Sequence, residues 1–554
     1  MQTIAIILAM IAAVIISSWI VRMLPFPIPL PIVQIVLGYL IAQFLGGLSA
    51  ELNPHVFMFL FLPPLLFLDG WRLPKDALKK DLGTITQLAF GLVFFTVLGI
   101  GLLIYWMIPE IPLPVAFALA AVISPTDPVA VSAIAQKVPF PSRMMHILEG
   151  ESLFNDASGL VCLKFAVAAT LTGAFSLTDA SFEFVKMVVG GLVVGLVVAL
   201  GITRLKQWIS RHWGEDSGTQ ILISLLIPFL AYIIAEHWHF SGVLGAVAAG
   251  ITMSYSELHG KVMAVTRIRR NAVWDSLQMI ANGAMFVLLG EQLPKIVGKM
   301  HITVQQAGHT NITWLFLYVA IIFVALAVLR WLWVWASLKV MMIYFSMRGS
   351  SLAPVDKRLI AAMSLSGVRG SITLAGVLSL PLLMNDNFTP FPARDLAIFL
   401  ASGVILISLI VASVALPRIL NGLALPKALD NEENDQENRA RIAAAEAAIK
   451  AIEHAQHEMS AGSSEPDLYI EAANRVMNTY RNLIDVRSHT AAADAGTSAA
   501  TVRKSEEIQR QIRLAALAAE RDDIYRQSQE HLIDHDLMDK LMREVDLEEA
   551  RIAS

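Results

Sequence analysis

Sulfur chemistry is nearly absent from this sequence, which holds a single cysteine, Cys162, among 554 residues. One thiol inside an apolar stretch excludes an intrachain disulfide framework and a cysteine-based metal site. Charge is scarce as well. Asp, Glu, Lys and Arg make up 16% of the chain against 56% hydrophobic residues, and the mean hydropathy is +0.60. A water-soluble chain of this length does not carry such a balance, so the bilayer is the expected solvent. The HExxH and G-x-S-x-G patterns are missing too, and no Cys-His pairing falls within the apolar stretches. A membrane-embedded hydrolase therefore finds little support; the expectation is a protein that is not an enzyme and needs no cofactor.

What is present is divided unevenly. Residues 1–427 are nearly all long apolar runs and hold 27 Lys and Arg against 20 Asp and Glu; residues 428–554 are polar and hold 15 against 26. This predicts a transmembrane domain over 1–427 and an acidic cytoplasmic helical tail over 428–554. An acidic tail argues against nucleic acid as a partner.

A membrane helix needs about 20 mostly apolar residues. Thirteen stretches meet or approach this, at roughly 3–20, 30–48, 55–69, 84–108, 113–135, 146–173, 184–203, 219–236, 240–255, 272–291, 313–338, 358–384 and 395–419. The first has no basic region before it and no small-residue cleavage site after it, so it reads as a retained helix. Basic residues settle the direction, because cytoplasmic loops collect Lys and Arg. Eighteen fall in or beside loops after odd-numbered helices, among them Arg22, Lys75, Lys79, Lys80, Lys137, Arg204, Lys261 and Arg348. Only Lys186, Lys295, Lys299 and Arg394 fall on the other side. The expectation is an outer N-terminus and a cytoplasmic tail.

Helices four to six and eleven to thirteen would run in opposite senses, and the middle helix of each trio carries a helix-breaking cluster. These are Ser124-Pro125-Thr126-Asp127-Pro128 and Gly367-Val368-Arg369-Gly370-Ser371. Inverted repeats with paired interruptions point to a secondary transporter whose site lies where the breaks meet. A channel is the alternative from another class, separable by whether flux is coupled to protons.

Ionisable side chains at membrane depth cost about 2.5–3.5 kcal/mol each on insertion scales, so each needs a reason. The candidates are Asp69, Asp127, Glu149, Glu151, Asp156, Lys164, Arg330 and Arg369. Pro125 and Pro128 lack N–H groups and make a regular helix through Thr126 and Asp127 unfavourable. The freed carbonyls, the Thr126 hydroxyl and the Asp127 carboxylate are oxygen donors suited to a hard alkali cation. Asp127 can equally cap the second half-helix, and the two roles can coexist. On the sixth helix Glu149, Ser152 and Asp156 share a face at helical spacing. Asp156 is thus placed for competition between a proton and a cation, or else for pairing with a basic residue. Arg369, always protonated, is expected to neutralise Glu151 and so leave Asp156 free. Lys164, Arg330 and Asp69 read as local pairing, snorkelling or interfacial groups. His237 and His239 read as interfacial.

Phe61-Leu62-Pro63-Pro64-Leu65-Leu66, Pro125-Thr126-Asp127-Pro128-Val129-Ala130-Val131, Gly150-Glu151-Ser152-Leu153-Phe154-Asn155-Asp156 and Gly367-Val368-Arg369-Gly370 closely resemble motifs of the cation/proton antiporter 1 family. That family includes NhaP-type prokaryotic antiporters and animal sodium/proton exchangers. The likeness spans roughly residues 1–420. It implies an all-α polytopic NhaA-type fold of 13 helices with inverted repeats and two discontinuous helices. It further implies an ion-carrying core within 84–173 and 313–419 and a dimerisation part within 3–69 and 184–291, in a homodimer of the inner membrane. By motif, Asp156 resembles the shared cation and proton carboxylate, with Thr126, Asp127 and Ser152 as neighbours and Glu151 with Arg369 as a structural ion pair. Asn155-Asp156 resembles the pair of the electroneutral branch, which implies one cation, most simply Na+ or Li+, for one H+. Exchange of K+ for H+ is the alternative within the family, and membrane lipid is the remaining partner.

In the tail, Arg439 to Met459 and Ser505 to Tyr525 favour helix, and apolar faces at Leu514–Leu517 and Leu537–Met542 suggest packing or a coiled coil.

Overall fold

A computed structural model describes residues 2–24, 28–44, 54–73, 82–129, 131–132, 142–173, 177–213, 216–258, 264–347, 357–385, 388–420, 427–460, 470–481, 484, 498–530 and 535–553. Lys75, Lys79, Lys80, Lys137, Lys261 and Arg348, which carry part of the expected orientation, lie outside them. The chain divides into two compact units, Met1–Leu423 and Ala424–Ser554.

The first unit is helical throughout its described elements. Its helices are α1 (Gln2–Met23), α2 (Leu30–Phe44), α3 (Pro54–Arg72), α4 (Val93–Met107), α5 (Leu113–Ile123), α6 (Ser142–Thr172) and α7 (Leu177–Trp213). Next come α8 (Ser217–His237), α9 (Gly242–Leu258), α10 (Ala264–Gly298), α11 (Thr313–Met347), α12 (Lys357–Leu365), α13 (Ser371–Leu378) and α14 (Arg394–Leu420). A helix lies over every one of the thirteen expected stretches. Seven segments among the described residues are long and apolar enough to cross a membrane by themselves. α7 and α10 extend well beyond their apolar centres, because Arg211 and His212 in the last turn of one and Arg267, Arg269 and Arg270 in the first turns of the other continue the helix in polar sequence. Four shorter apolar helices include α2 and α5.

Helix five departs from a continuous span. α5 stops at Ile123, and residues 124–128 are non-helical before the chain turns helical again at Val129. Helix twelve likewise splits into α12 and α13 around residues 366–370. A six-residue π-helical stretch, Gln87–Leu92, precedes α4. A π-turn shifts the backbone ladder by one residue. Here the Ala89 carbonyl accepts the Ser158 hydroxyl of α6 at 2.8 Å.

Without a hydrophobic force between helices in lipid, small residues let backbones close on one another. α2 and α10 do this reciprocally: a methyl at Gly38 would strike the Val287 carbonyl, and one at Gly290 would strike that of Ile35. The largest buried cluster runs from Ile100 and Leu119 through α6 and α11 to Leu374 and Leu409, and takes in Ile35, Leu66, Val247 and Phe286 of α2, α3, α9 and α10. The interruptions therefore sit inside the largest apolar cluster of the unit.

The second unit contains α15 (Lys427–Ser460), α16 (Ser498–Gln529) and α17 (His535–Ala553). α16 and α17 bury Leu517, Ile524 and Val545 together, with Met538, Leu541 and Met542 against them. Arg521 bridges the two helices to Asp546 at 2.7 Å and to Glu549. Both expected apolar faces are thus used for packing within this unit.

Candidate functional site

The two breaks meet. With the helix interrupted after Ile123, the Asp127 N–H has no carbonyl one turn back, and it donates instead to the Val368 carbonyl at 2.7 Å. The Ile123 carbonyl that this N–H would have used accepts the Arg369 Nε at 2.9 Å. Each break thus supplies the hydrogen-bond partner that the other lost, which satisfies backbone groups that neither water nor lipid could reach. The Arg369 N–H donates to the Ser408 hydroxyl of α14 at 3.1 Å, tying the crossing to a third helix.

Asp127 caps the helical turn that begins at Val129: its Oδ1 accepts the Val129 N–H at 2.8 Å. Its other carboxylate oxygen lies against Gly370, the N-cap of α13, where a methyl group would collide with it. The positive end of the α13 dipole is thereby turned to a carboxylate. The capping reading is correct in geometry, and the carboxylate still belongs to the crossing.

One pairing differs from expectation. Glu151, 1% exposed, is held by Arg330 of α11, 2% exposed, in a bidentate pair: Nη2 to Oε2 at 2.7 Å, and Nη1 to Oε1. Arg369 makes no ion pair with Glu151 among the described residues, although it lies near enough to feel its charge. The Arg369 guanidinium is occupied by backbone carbonyls, those of Ile123 and, through Nη1, Gly367. Arg330 also donates Nε to the Met363 carbonyl at 2.9 Å. That carbonyl lies in the last turn of α12, just before the break. The two arginines thus neutralise the negative C-terminal ends of the half-helices α5 and α12, where orphaned carbonyls and the helix dipole both favour cations. From sequence alone Arg330 reads as bland. The signal was there, an arginine deep in a 35-residue apolar helix, yet choosing between two arginines for one glutamate needed the packing.

From Glu151 a buried chain continues. The Thr126 hydroxyl donates to Glu151 Oε1 at 3.3 Å and accepts Asn155 Nδ2 at 3.0 Å. Asn155 Oδ1 is buried with no hydrogen bond among the described residues. One turn along α6 from Ser152, Asp156 is 4% exposed and has no side-chain hydrogen bond or ion pair among the described residues. Asp127, Asp69 and Glu151 act on it with charges of its own sign. Both nearby arginines are committed elsewhere. A carboxylate in such a place requires a counter-ion or a proton brought from outside.

The structure thus gathers Thr126, Asp127, Glu151, Ser152, Asn155, Asp156, Arg330 and Arg369 at one crossing. Asp69 on α3 joins it electrostatically, interacting with Asp127 and Glu149. Lys164 stands apart: it pairs with Glu236 of α8 at 2.8 Å. His239 closes α8 with a left-handed φ of 59°, outside the site.

Comparison with known proteins agrees with this fold. A solved structure of the sodium proton antiporter MjNhaP1 from Methanocaldococcus jannaschii superimposes with a TM-score of 0.57 at 17% identity, covering 76% of this chain and 99% of that one. The chain is 41% identical to a protein named uncharacterized Na(+)/H(+) exchanger YjcE from Escherichia coli, over 98% of both lengths. It is 42% identical to a sodium, potassium, lithium and rubidium/H(+) antiporter from Bacillus pumilus, over 82% of this chain and 66% of that protein. The family profile described as "Sodium/hydrogen exchanger, transmembrane" matches residues 8–422, and the chain belongs to that family of multi-pass cation/proton antiporters.

Proposed function

We propose that the protein exchanges one monovalent cation, Na+ or Li+, for one proton across the inner membrane, and that either ion, but not both, occupies Asp156. The observation that carries this reading is the buried Asp156 carboxylate with no cation of its own, set beside a crossing whose arginines are already used. Oxygen donors for an alkali ion are at hand in Asp156, the Asp127 carboxylate, the Thr126 and Ser152 hydroxyls and the Asn155 amide oxygen. Loss of the ion leaves a lone buried charge, which favours reloading over returning empty and so couples the two fluxes. A transporter rather than an enzyme is the reading that suits a buried carboxylate placed to take up and release an ion.

The core comprises the helices within 84–173 and 313–419, and it moves against the part within 3–69 and 184–291, through which two copies pair. The N-terminus faces outwards and the acidic tail lies in the cytoplasm. Exchange of K+ for H+ is the second reading. It is favoured by the relative from Bacillus pumilus, whose name includes potassium and rubidium. Cation-induced dequenching of a pH dye in everted vesicles tests both. Responses to Na+ and Li+ well above that to K+ are expected; equal or larger K+ responses favour the second reading, and no response to any cation across a wide pH range overturns the antiporter assignment. Flux of a labelled cation with no accompanying proton movement would indicate a channel.

A further inference from the structure

α7 and α9 meet backbone to backbone at one end of their contact. A methyl on Gly191 would strike the Ser241 carbonyl and one on Gly195 that of Gly245. Beyond this tight crossing a cavity of about 640 Å³ opens between the same two helices, lined by Leu196, Leu200, Arg204 and Gln207 of α7 and by Ile251, Thr252, Tyr255 and Ser256 of α9. Its lining is graded. Leu196, Leu200 and Ile251 form the apolar end, whereas Arg204, Gln207, Tyr255 and Ser256 form the polar end, because both helices run in the same direction away from the crossing.

We propose that this cavity holds one anionic phospholipid, with its phosphate on Arg204 and an acyl chain along Leu196, Leu200 and Ile251. Three observations favour that occupant. Arg204 is exposed and forms no ion pair among the described residues, so a planar donor set suited to phosphate is available. The apolar window of α7 is only 22% buried, so most of its apolar surface faces away from the protomer's interior. Trp208 and Trp213, 52% and 71% exposed, come after Arg204 on the same helix; exposed tryptophans gather at the headgroup level of a bilayer. The eleven-residue rise from Leu196 to Gln207 spans about 16 Å, which matches one leaflet of a hydrocarbon core about 30 Å thick. The cation, the depth and the apolar floor therefore agree on a lipid lying with its headgroup at the basic end of α7.

The experiment titrates the purified full-length protein with phosphatidylglycerol, phosphatidylcholine or glycerol 3-phosphate and counts bound molecules by native mass spectrometry, with thermal melting alongside. One phosphatidylglycerol bound more tightly than phosphatidylcholine is expected. Arg204→Ala should weaken it about tenfold, as loss of one charge-assisted hydrogen bond does, while Arg211→Ala, outside the cavity, should not. Leu200→Trp, which fills the apolar end without changing charge, should also weaken it while the protein still melts cooperatively. Equal binding of both lipids, or equal effects of Arg204→Ala and Arg211→Ala, would overturn the proposal. So would glycerol 3-phosphate displacing the lipid at comparable concentration, which would make the site one for a soluble anion.

Discussion

Asp127 and Val368, one in each broken helix, are joined main chain to main chain at 2.7 Å, and the carbonyl this releases at Ile123 is taken by Arg369. A loop that only lined a cavity would leave such groups to water. Here the interruptions satisfy one another and hold the Asp127 carboxylate at the N-terminus of α13.

Gly370→Ala tests how close that crossing is. The added methyl must displace the Asp127 carboxylate, and overpacking of this kind costs about 1–3 kcal/mol. The expected result is a lower melting temperature and a raised half-saturating cation concentration. Unchanged cation dependence would show that Asp127 does not need its present position.

Arg330→Met leaves Glu151 as a lone buried charge. Removing one partner of a buried pair costs about 3–5 kcal/mol, so yield of folded protein should fall sharply, and Arg330→Met with Glu151→Gln should recover much of it. Arg369→Met orphans two carbonyls instead of a carboxylate, and Glu151→Gln should not rescue it. Rescue of Arg369→Met by Glu151→Gln would restore the pairing expected from the sequence.

Asp156→Asn should abolish proton-driven cation flux while leaving the fold intact, because its carboxylate makes no hydrogen bond or ion pair among the described residues. Asn155→Asp should behave differently. The Asn155 amide donates to Thr126, whose hydroxyl donates to Glu151. A carboxylate in that place competes with Glu151 for the one hydroxyl proton, so melting should fall and flux weaken. Persistent exchange in Asp156→Asn, measured in reconstituted vesicles, would sink the site assignment.

Two exposed ion pairs join the helices of the proposed core to the rest: Lys164 with Glu236 at 2.8 Å, and Lys299 with Asp395 at 3.0 Å. Each is worth at most about 1 kcal/mol in water, so Glu236→Gln should barely move the melting temperature. Labelling of Cys162, two residues before Lys164 on α6, by an impermeant thiol reagent should nevertheless accelerate if the pair restrains movement of α6 past α8. Identical labelling rates would assign the pair a purely local role.

At the start of α8 the Asp216 carboxylate accepts the Thr219 N–H at 2.7 Å. Hydrogen bonding by Thr219 holds the Asp216 carboxyl below its ordinary value. A depressed folded value means the stabilisation is present above the unfolded value and is lost as pH falls through the folded one. Asp216→Ala should therefore lower the melting temperature slightly at neutral pH and not at all at strongly acid pH, as thermal melts across that range would register.

Much of this was legible in sequence. Apolar length placed a helix over each expected stretch, since a bilayer demands long runs with no polar interruption. Proline and glycine clusters located both breaks, because Pro125 and Pro128 remove donors that a continuous helix requires. Glu151, Asn155 and Asp156 stood out because charge and amide groups at depth need partners. Which partner each took was not legible. Arg330 and Arg369 are the same residue type at similar depth, and only the approach of α11 gave Glu151 to the first, while the α5 break gave carbonyls to the second. The π-turn before α4 was likewise invisible, since Gln87–Leu92 is ordinary apolar sequence. Periodicity and composition act locally along one chain segment and determined the elements and their interruptions. Pairing of buried charges depends on which helices face one another, and that was decided by the tertiary structure, which left Asp156 without a cation.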